Sequence, residues 1–472
     1  MTRHVFALAV CAMVLLRPTF TTAADNDQPA PQVMTLYPAA APRPALVHRL
    51  LPPVLKQISG NAAPLYLKAF LSQAQSPLDA AGQKKLSTWL ALPLEELPRD
   101  EVRALLDTRT GVLHQMALAA RRTECDWALP LREEKNWFEI QLPELQEART
   151  VAKLLSLRAR LEAAEGRFSD AVVTLQQGFA LARHVAAAPT LVNGLVGAAI
   201  VRLQADALEA IVQAPQSPNL HWALAVLPEP IVDLSASVAF EAEGIYFLYP
   251  ELAAARTQHL TTGEWDTLLS KLCNSSETLL PLVQAGGESA IKLSRPGELK
   301  EQLLGAAPQA RQWLITQGLA ADVEAMTPAQ AALMAATGLY DERRDAMLCR
   351  WAVPFWQMND LPDPKSTLSK HDPLQLFGVM LADLSRVRQA LVGTQQRIAV
   401  LQCLEALRLH AATSGGKLPA TLGEIQGVVL PISPVTGQPF EYRLDGETAV
   451  LVAPSADDKP ARTYHVTMKR AE

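Results

Sequence analysis

Residues 148–184, ARTVAKLLSLRARLEAAEGRFSDAVVTLQQGFALARH, show the clearest structural pattern in this 472-residue chain. Apolar side chains in the first half of this stretch form two adjacent stripes at helical spacing: Ala148, Ala152, Leu155, Ala159 and Ala163 in one, and Leu154, Leu157, Leu161 and Ala164 in the other. Two stripes make a wide apolar face, which is typical of a helix between two neighbours. We therefore expect this helix to pack between two others.

A turn at Gly166 should separate this helix from a second one. Ser169 can cap the second helix by accepting a bond from a free backbone N–H. The apolar residues of the second helix are Ala171, Leu175, Gly178, Phe179 and Ala182. A third helix is expected over about residues 191–212, and its small residues, Gly194 and Gly197 among them, would let another backbone approach closely.

Helical patterns continue on both sides of this hairpin, from about residue 46 to residue 380. Prolines, which stop helices, separate apolar segments at Pro93, Pro98, Pro130, Pro143, Pro189, Pro215, Pro228, Pro250 and Pro281. We therefore predict a multi-helix, repeat-like domain over residues 46–380, with its hairpin at residues 144–185.

The C-terminal part, residues 381–472, differs in kind. A long helix with one broad apolar face is predicted from about residue 382 to residue 412, and Gly415-Gly416 should end it. Strand-like runs follow at residues 440–444, 449–452 and 464–468. The first two flank Asp445-Gly446, a strong hairpin signal. The expected fold class is therefore mainly α, with a small C-terminal α+β domain in which the long helix lies on an antiparallel sheet.

The first 24 residues have the layout of a secretory signal peptide. A short basic start precedes a 12-residue apolar run at 5–16, and Thr22-Ala23-Ala24 fits a cleavage site. That run is shorter than the roughly 20 apolar residues of a membrane-spanning helix. Residues 25–45 hold five prolines and few apolar side chains, so we expect a flexible segment there. The mature protein should therefore be exported, periplasmic or extracellular, without a transmembrane anchor.

The cysteines permit disulfides in an exported protein. Four remain after removal of the signal peptide, which allows three connectivities, and they are Cys125, Cys273, Cys349 and Cys403. The alternative is that they are buried thiols that behave as small hydrophobes. Their wide spacing leaves both interpretations open.

Charge and missing motifs argue against several classes of function. The net charge is −5, with both signs mixed along the chain, whereas binding to nucleic acid calls for a basic face. The chain has no G-x-S-x-G, H-E-x-x-H or C-x-x-C sequence, so a nucleophile elbow, a zinc site and a thioredoxin-like site have no support. We therefore expect no metal, no cofactor and no nucleic-acid partner.

Three features could still carry chemistry. Glu241, Glu243 and Glu251 flank an aromatic cluster, and paired carboxylates beside aromatic residues are typical of sugar sites. The first two do not share a helix face, so an amphipathic helix with a solvated edge is the simpler interpretation. Cys125-Asp126-Trp127 could hold a nucleophilic thiolate, but the aspartate would oppose thiolate formation, and packing or a disulfide is favoured. His184, at a helix end, would there complement the helix dipole as a cation.

The hairpin at residues 144–185 resembles a tetratricopeptide repeat unit, with small residues, Ala159 and Gly178, at the helix crossing. Arg158 and Glu162 depart from that pattern, because the repeat usually has apolar residues there. A stable array takes at least three repeats, and only one unit of this kind is evident. The resemblance therefore implies repeat-like packing within a helical domain.

Three blocks together are similar to a family of exported bacterial helical proteins that carries no assigned activity. They are Cys125-Asp126-Trp127, the 148–184 stretch with PTLVNGLVGAAI at 189–200, and EALRLHAATSGGKLPATLGEI at 405–425. This resemblance supports the architecture and leaves the function open.

The C-terminal part resembles the soluble domain of type II secretion pseudopilins. The matching residues are LEALRL at 404–409, GGKLP at 415–419 and PVTGQPFEY at 434–442. Ser433 stands where that family usually has an aspartate, and the prepilin leader and N-terminal transmembrane helix are missing before this domain. The resemblance therefore implies the same small fold reused as a module.

These patterns favour an exported, non-enzymatic binding or scaffolding protein of the cell envelope, with other envelope proteins as partners. Two alternatives stay open. One is an extracytoplasmic hydrolase that uses the carboxylates near residues 241–251. The other is a structural component of a secretion or cell-surface assembly, prompted by the C-terminal module.

Overall fold

A computed structural model describes residues 30–134, 140–255, 260–274, 297–362, 372–378, 381, 384–457 and 459–469, with the backbone alone at residues 320, 321 and 359. Helices take up most of these residues and a small sheet lies near the C-terminus, which confirms the predicted fold class. The signal peptide predicted at residues 1–24 lies outside the described residues.

The elements follow one another as a long series of helices with a few strands at either end. The helices are α1 (Ala63–Gln75), α2 (Ala80–Ala91), α3 (Arg99–Asp107), α4 (Thr110–Ala119), α5 (Pro143–Ala164), α6 (Phe168–Ala186), α7 (Leu191–Val212), α8 (His221–Ala225), α9 (Ser235–Ala242), α10 (Gly244–Leu248), α11 (Pro250–Ala254), α12 (Thr262–Asn274), α13 (Glu298–Gly305), α14 (Ala307–Thr316), α15 (Ala320–Val323), α16 (Pro328–Ala352) and α17 (Leu384–Thr413). The strands are β1 (Gln32–Leu36), β2 (Ile58–Asn61), β3 (Arg122–Glu124), β4 (Glu441–Asp445), β5 (Thr448–Ala453) and β6 (Arg462–Met468).

The described residues form two compact units. The larger unit comprises residues 30–129, 141–237 and 385–469, and the smaller unit comprises the described residues of 130–140 and 238–384. These units do not follow the expected division into a helical domain over 46–380 and a domain over 381–472. The C-terminal part belongs to the same unit as the hairpin, because buried polar contacts and a strand pairing join them.

Helices α5, α6 and α7 supply much of the core of the larger unit. Both apolar stripes predicted on α5 are buried, except that Ala164 is half-buried. Gly166 makes the turn with a φ of +76°, a left-handed conformation that favours glycine. The cap predicted at Ser169 is wrong, because α6 begins one residue earlier and Arg167 is its N-cap, without a side-chain cap bond.

Two glycines let α7 approach its neighbours closely, as the small residues predicted. A Cβ atom at Gly178 of α6 would lie 2.3 Å from the side chain of Gln204 on α7. A Cβ atom at Gly197 of α7 would lie 2.6 Å from the carbonyl oxygen of Ala182 on α6. A side chain at Gly197 would meet backbone and push the helices apart, whereas one at Gly178 would first displace the Gln204 side chain.

The C-terminal sheet has the strand order β1-β6-β5-β4. Strands β4, β5 and β6 are antiparallel neighbours, as predicted from the sequence. The loop of the first hairpin is Gly446-Glu447 instead of Asp445-Gly446, because Asp445 still pairs with Thr448. Gly446 has a φ of +59°, which is the conformation that two-residue hairpin loops demand of their first residue.

Strand β1 is the main departure from the sequence prediction. It pairs in parallel with β6, from Gln32 opposite Tyr464 to Leu36 opposite Met468. The flexible segment expected over residues 25–45 is therefore wrong for residues 32–36. Met34 and Leu36 are completely buried, and pairing with β6 satisfies the backbone groups, so ordering this short run is favourable despite the prolines around it.

Helix α17 ends as the sequence predicted, at a glycine pair. Gly415 and Gly416 have positive φ angles of +66° and +84°, and the Gly416 N–H donates to the Ala411 carbonyl over 2.8 Å. Ser414 is the C-cap, and this bond from the second residue beyond the C-cap to the third-last helical carbonyl defines a Schellman motif.

Two arginines of α17 join the C-terminal part to the rest of the larger unit. Arg408 is completely buried, pairs with the equally buried Glu405 at 3.0 Å, and donates to the carbonyl oxygens of Ser217 and Tyr37. Arg397 pairs with Glu209 of α7 at 2.5 Å and also donates to the Tyr464 hydroxyl of β6. These contacts explain why the C-terminal part does not stand apart.

The smaller unit is helical and packs around α16. The Tyr340 hydroxyl of α16 donates to the Ala242 carbonyl oxygen over 2.7 Å. The ring of Trp313 from α14 packs against Gly338 of α16, where a Cβ atom would lie 2.2 Å from that ring. In the described part of the chain, no helix combines the length and the apolar character that crossing a bilayer requires.

Candidate functional site

A cavity of about 490 Å³ lies in the larger unit. Its apolar lining comes from the segment before β2, from the end of α6 and from the segment before α9, and includes Leu51, Pro52, Ala180, Ala186, Ile231 and Val232. Its polar lining includes Gln57, Arg122, Thr123, Cys125, Arg183, His184 and Asp233. The volume lies in the range of small-molecule sites.

The wall that carries Cys125 is built by the pairing of β2 with β3. The side chain of Asn61 donates to the Asp126 carbonyl oxygen over 2.8 Å and accepts from the Asp126 N–H at 2.9 Å. The Asp126 carboxylate accepts the N–H of Ala128, whose φ of 50° is left-handed. These bonds fix the turn after β3 and hold Cys125 at the cavity.

An aromatic cluster supports the wall at the end of α6. The Trp127 indole N–H donates to the His184 carbonyl oxygen over 2.7 Å. Its ring stacks on Tyr66 and Phe70 of α1, with ring centroids 6.0 Å and 6.2 Å away and planes tilted by 15° and 4°. The cluster therefore connects α1, the turn after β3 and α6 around one edge of the cavity.

His184 is neutral at physiological pH. Burial lowers the pKa of His184 to about 4, the charge of Arg183 lowers it further, and a hydrogen bond with the Arg122 backbone opposes the shift. Its Nδ1 lies 2.8 Å from the hydroxyl of Tyr66, whose pKa is raised mainly by burial. The expected cation at the helix end is wrong, because the imidazole loses water there.

Cys125 is a protonated thiol at physiological pH. Burial raises the pKa of Cys125 to about 12, and the neighbouring Asp126 carboxylate raises it further. A thiol is a nucleophile only as the thiolate, so this cavity does not hold an activated cysteine. The sequence argument that the aspartate would oppose thiolate formation has the same physical basis.

The charged lining of the cavity carries more positive than negative charge. Arg183 is exposed, and within the described ranges it has no carboxylate partner and no hydrogen bond. Arg122 donates through Nη1 to the Ser59 carbonyl oxygen at 2.8 Å, while its buried Nε finds no partner in the described part of the chain. One oxygen of Asp233 already accepts from the backbone N–H and the hydroxyl of Ser235.

The structure places two of the predicted carboxylates in ion pairs with different helices. Glu243 forms an ion pair with Arg344 of α16 at 3.4 Å. Glu251 forms an ion pair with Lys271 of α12, and this contact lowers the pKa of Glu251. Glu241 lies half-buried on α9. A glycosidase acid needs a raised pKa and a facing carboxylate, so the pairing of Glu243 and Glu251 with different helices argues against that site.

The four cysteines are free thiols. Cys125, which follows β3, and Cys403 of α17 lie in the larger unit, while Cys273 of α12 and Cys349 of α16 lie in the smaller one. The proposed disulfides are therefore not formed in this structure. Among the side chains that the structure describes, no group of three or more His, Cys, Asp and Glu residues could hold a metal ion.

The sequence singled out Cys125-Asp126-Trp127 and His184, and the structure places all of them in or beside the cavity. The sequence analysis did not identify Arg122 and Arg183 as site residues. One helix face, on α6 and the residue after it, carries residues at i, i+3, i+4 and i+7: Ala180, Arg183, His184 and Ala187. This polar pair between two alanines was the sequence signal that could have identified the site. No family model, curated protein or solved structure matches the chain.

Proposed function

We propose that this protein is a non-catalytic binding protein whose binding site is the cavity of the larger unit. The observation that carries the proposal is a cavity of ligand size in which burial keeps the Cys125 thiol protonated and the His184 imidazole neutral. A thiol with a pKa of about 12 and an imidazole with a pKa of about 4 are poor nucleophiles and poor proton carriers near pH 7. Both remain able to hydrogen-bond a ligand.

A thermal-shift screen with a cavity-filling variant tests the proposal. Ala187 is exposed and lines the cavity, so Ala187→Trp should occupy space in it without disturbing the core. A library of small acids, amines and neutral compounds should contain members that raise the Tm of the wild type and leave the variant unchanged, because only bound ligand stabilises the fold. A library in which no compound distinguishes the two proteins would contradict the proposal.

We further propose that the protein works in the cell envelope after export. The support is the layout of residues 1–24, a short basic start, an apolar run and small residues at a cleavage position. Fractionation of the source cells, with N-terminal sequencing of the recovered protein, tests this. The expected result is a chain that starts near Asp25 in the periplasmic or extracellular fraction. An uncleaved chain in the cytosol would be the opposite result.

A second candidate function is scaffolding of other envelope proteins. The observation that favours it is a short turn before β2 in which the side chains of Val54 and Leu55 are 81% and 99% exposed, since an exposed apolar pair is a suitable contact for a partner. A pull-down from envelope extract should recover partners with the wild type and lose them with Leu55→Asp. Val429→Asp, at another exposed valine, is the matched control and should retain them.

A further inference from the structure

The ligand class of the cavity can be inferred from its charges and its walls, an inference that rests on the binding function proposed above. We propose that the cavity takes a small organic monocarboxylate with an apolar body, and that its carboxylate pairs with Arg122 and Arg183. The inference uses the lining of one cavity within the larger unit.

The first step is the sign of the charge. Arg122 and Arg183 each contribute one positive charge and Asp233 contributes one negative charge, while His184 and Cys125 are uncharged near pH 7. The lining therefore carries one net positive charge. A carboxylate would neutralise that charge, and guanidinium groups bind carboxylates through strong charge-assisted hydrogen bonds.

The second step is the unsatisfied donor capacity of the arginines. Arg183 has neither a carboxylate nor a hydrogen-bond partner within the described ranges. The Nη1 of Arg122 donates to the Ser59 carbonyl oxygen, and its buried Nε has no partner among the residues that the structure describes. The guanidinium of Arg183 therefore has its donor capacity available for an anion in the cavity.

The third step is the body of the ligand. The cavity, at about 490 Å³, is far larger than an inorganic anion, and Leu51, Ala180, Ile231 and Val232 present apolar surface to it. An apolar chain or ring would cover these walls. The carboxylate of Asp233 would repel a second negative charge, so a monoanion fits better than a dianion or a phosphate ester.

Calorimetric titration with matched acids and amides tests the inference. Octanoate and 4-phenylbutanoate should bind at least about tenfold more tightly than octanamide and 4-phenylbutanamide, a ratio that one good charge-assisted bond supplies. Arg183→Gln should reduce the affinity for the acids by a similar factor and leave the amides unchanged. Arg202→Gln, at an exposed arginine of α7 outside the cavity lining, is the matched control and should bind as the wild type does.

A second readout comes from His184, which lines the same cavity. A bound carboxylate should raise the pKa of His184, followed by NMR of the imidazole, whereas the amides should not change it. In Ala187→Trp both the binding and this shift should be lost.

Three results would overturn the inference. Equal affinity for acid and amide would show that the cavity does not select a carboxylate. Unchanged acid affinity in Arg183→Gln, or in Ala187→Trp, would place the acids elsewhere on the protein. In the library screen, the compounds that stabilise the wild type and not Ala187→Trp could contain no carboxylates. The binding function would then stand, and the proposed ligand class would be wrong. Failure of the binding function itself would appear separately, as no distinguishing compound of any class.

Discussion

At the scale of single residues, burial determines what the cavity side chains can do. His184 is uncharged because it has lost water and lies near the Arg183 charge, and Cys125 keeps its proton because it has lost water beside Asp126. A sequence gives the residue types, but it does not show how much water each side chain loses on folding. The sequence therefore identified His184 and Cys125 as residues of interest. Of the effects that shift their pKa values, it could anticipate only the influence of the Asp126 carboxylate on the Cys125 thiol.

His184 should make the stability of the larger unit depend on pH. Its pKa is about 4 in the folded protein and about 6.5 in an unfolded chain, so the unfolded chain binds more protons between these values. The free energy of unfolding should therefore fall by about 3 kcal/mol as the pH drops from about 6.5 to about 4, and change little from this cause above pH 7.

Urea unfolding of the wild type and of His184→Asn at several pH values checks this prediction. The variant lacks the titrating group, so its stability should fall less steeply with pH over the same range. Parallel curves for the two proteins would show that His184 is not held neutral by the fold.

The buried pair of Arg408 and Glu405 gives a second prediction at this scale. Arg408→Leu leaves the Glu405 carboxylate buried without its cation, because both side chains have no exposed surface. Such a change costs about 3–5 kcal/mol of unfolding free energy. Replacing both residues by leucine should cost less than Arg408→Leu alone. Urea titration of the single and double variants measures the difference.

Arg103 is the matched control for that measurement. It pairs with Asp100 and Glu165, but its side chain is 48% exposed, and exposed pairs contribute little to stability. Arg103→Leu should therefore change the stability little. A loss as large as that of Arg408→Leu would mean that burial does not set the cost.

At the scale of elements, the closeness of α6 and α7 depends on glycine. Gly197→Ala places a Cβ atom 2.6 Å from the Ala182 carbonyl oxygen, and separating the helices should cost about 1–3 kcal/mol. Gly393→Ala on α17 is the matched control, since a Cβ atom there meets nothing within 4 Å. That change should stabilise the helix by about 0.5–1 kcal/mol. Thermal unfolding of both variants shows whether the signs are opposite, and equal effects would contradict the helix crossing.

Local patterns predicted the elements well where each element carries its own signal. The stripes of α5, the glycine end of α17 and the alternation of β6 were visible in short windows of sequence. Strand β1 was not, because its partner, β6, lies at the other end of the chain and because prolines flank it. Parallel pairing over such a separation leaves no local pattern.

The site was harder to predict than the elements. Arg122 and Arg183 appear in the sequence as ordinary arginines beside other polar residues. They become cavity residues only because β2 pairs with β3 and because the segment before α9 packs near the end of α6. No spacing rule within one element could have brought these segments together.

At the scale of the whole molecule, residues 385–469 are part of the larger unit and not a detachable module. A chain that ends at residue 384 loses the partner strand of Met34 and Leu36 and the arginines that bond to Ser217 and Glu209. Helices α5, α6 and α7 should then lose cooperative unfolding and exchange their amide hydrogens rapidly.

Hydrogen exchange and circular dichroism of the shortened chain test this expectation, with a chain ending at residue 469 as the control. A shortened chain in which α5 to α7 stay protected would contradict it. That result would also support a separable module at the C-terminus that acts in an assembly, which is the structural role suggested by the resemblance to pseudopilins.

The reactivity of Cys125 tests the central claim, a cavity that binds and does not react, most directly. Alkylation by iodoacetamide, followed for each cysteine by peptide mass spectrometry from pH 7 to pH 9, compares Cys125 with the exposed Cys349 in the same sample. Because the pKa of Cys125 is raised to about 12, we expect it to react more slowly than Cys349 throughout. Faster alkylation of Cys125, with a midpoint below pH 8, would reveal an activated thiolate and contradict the account.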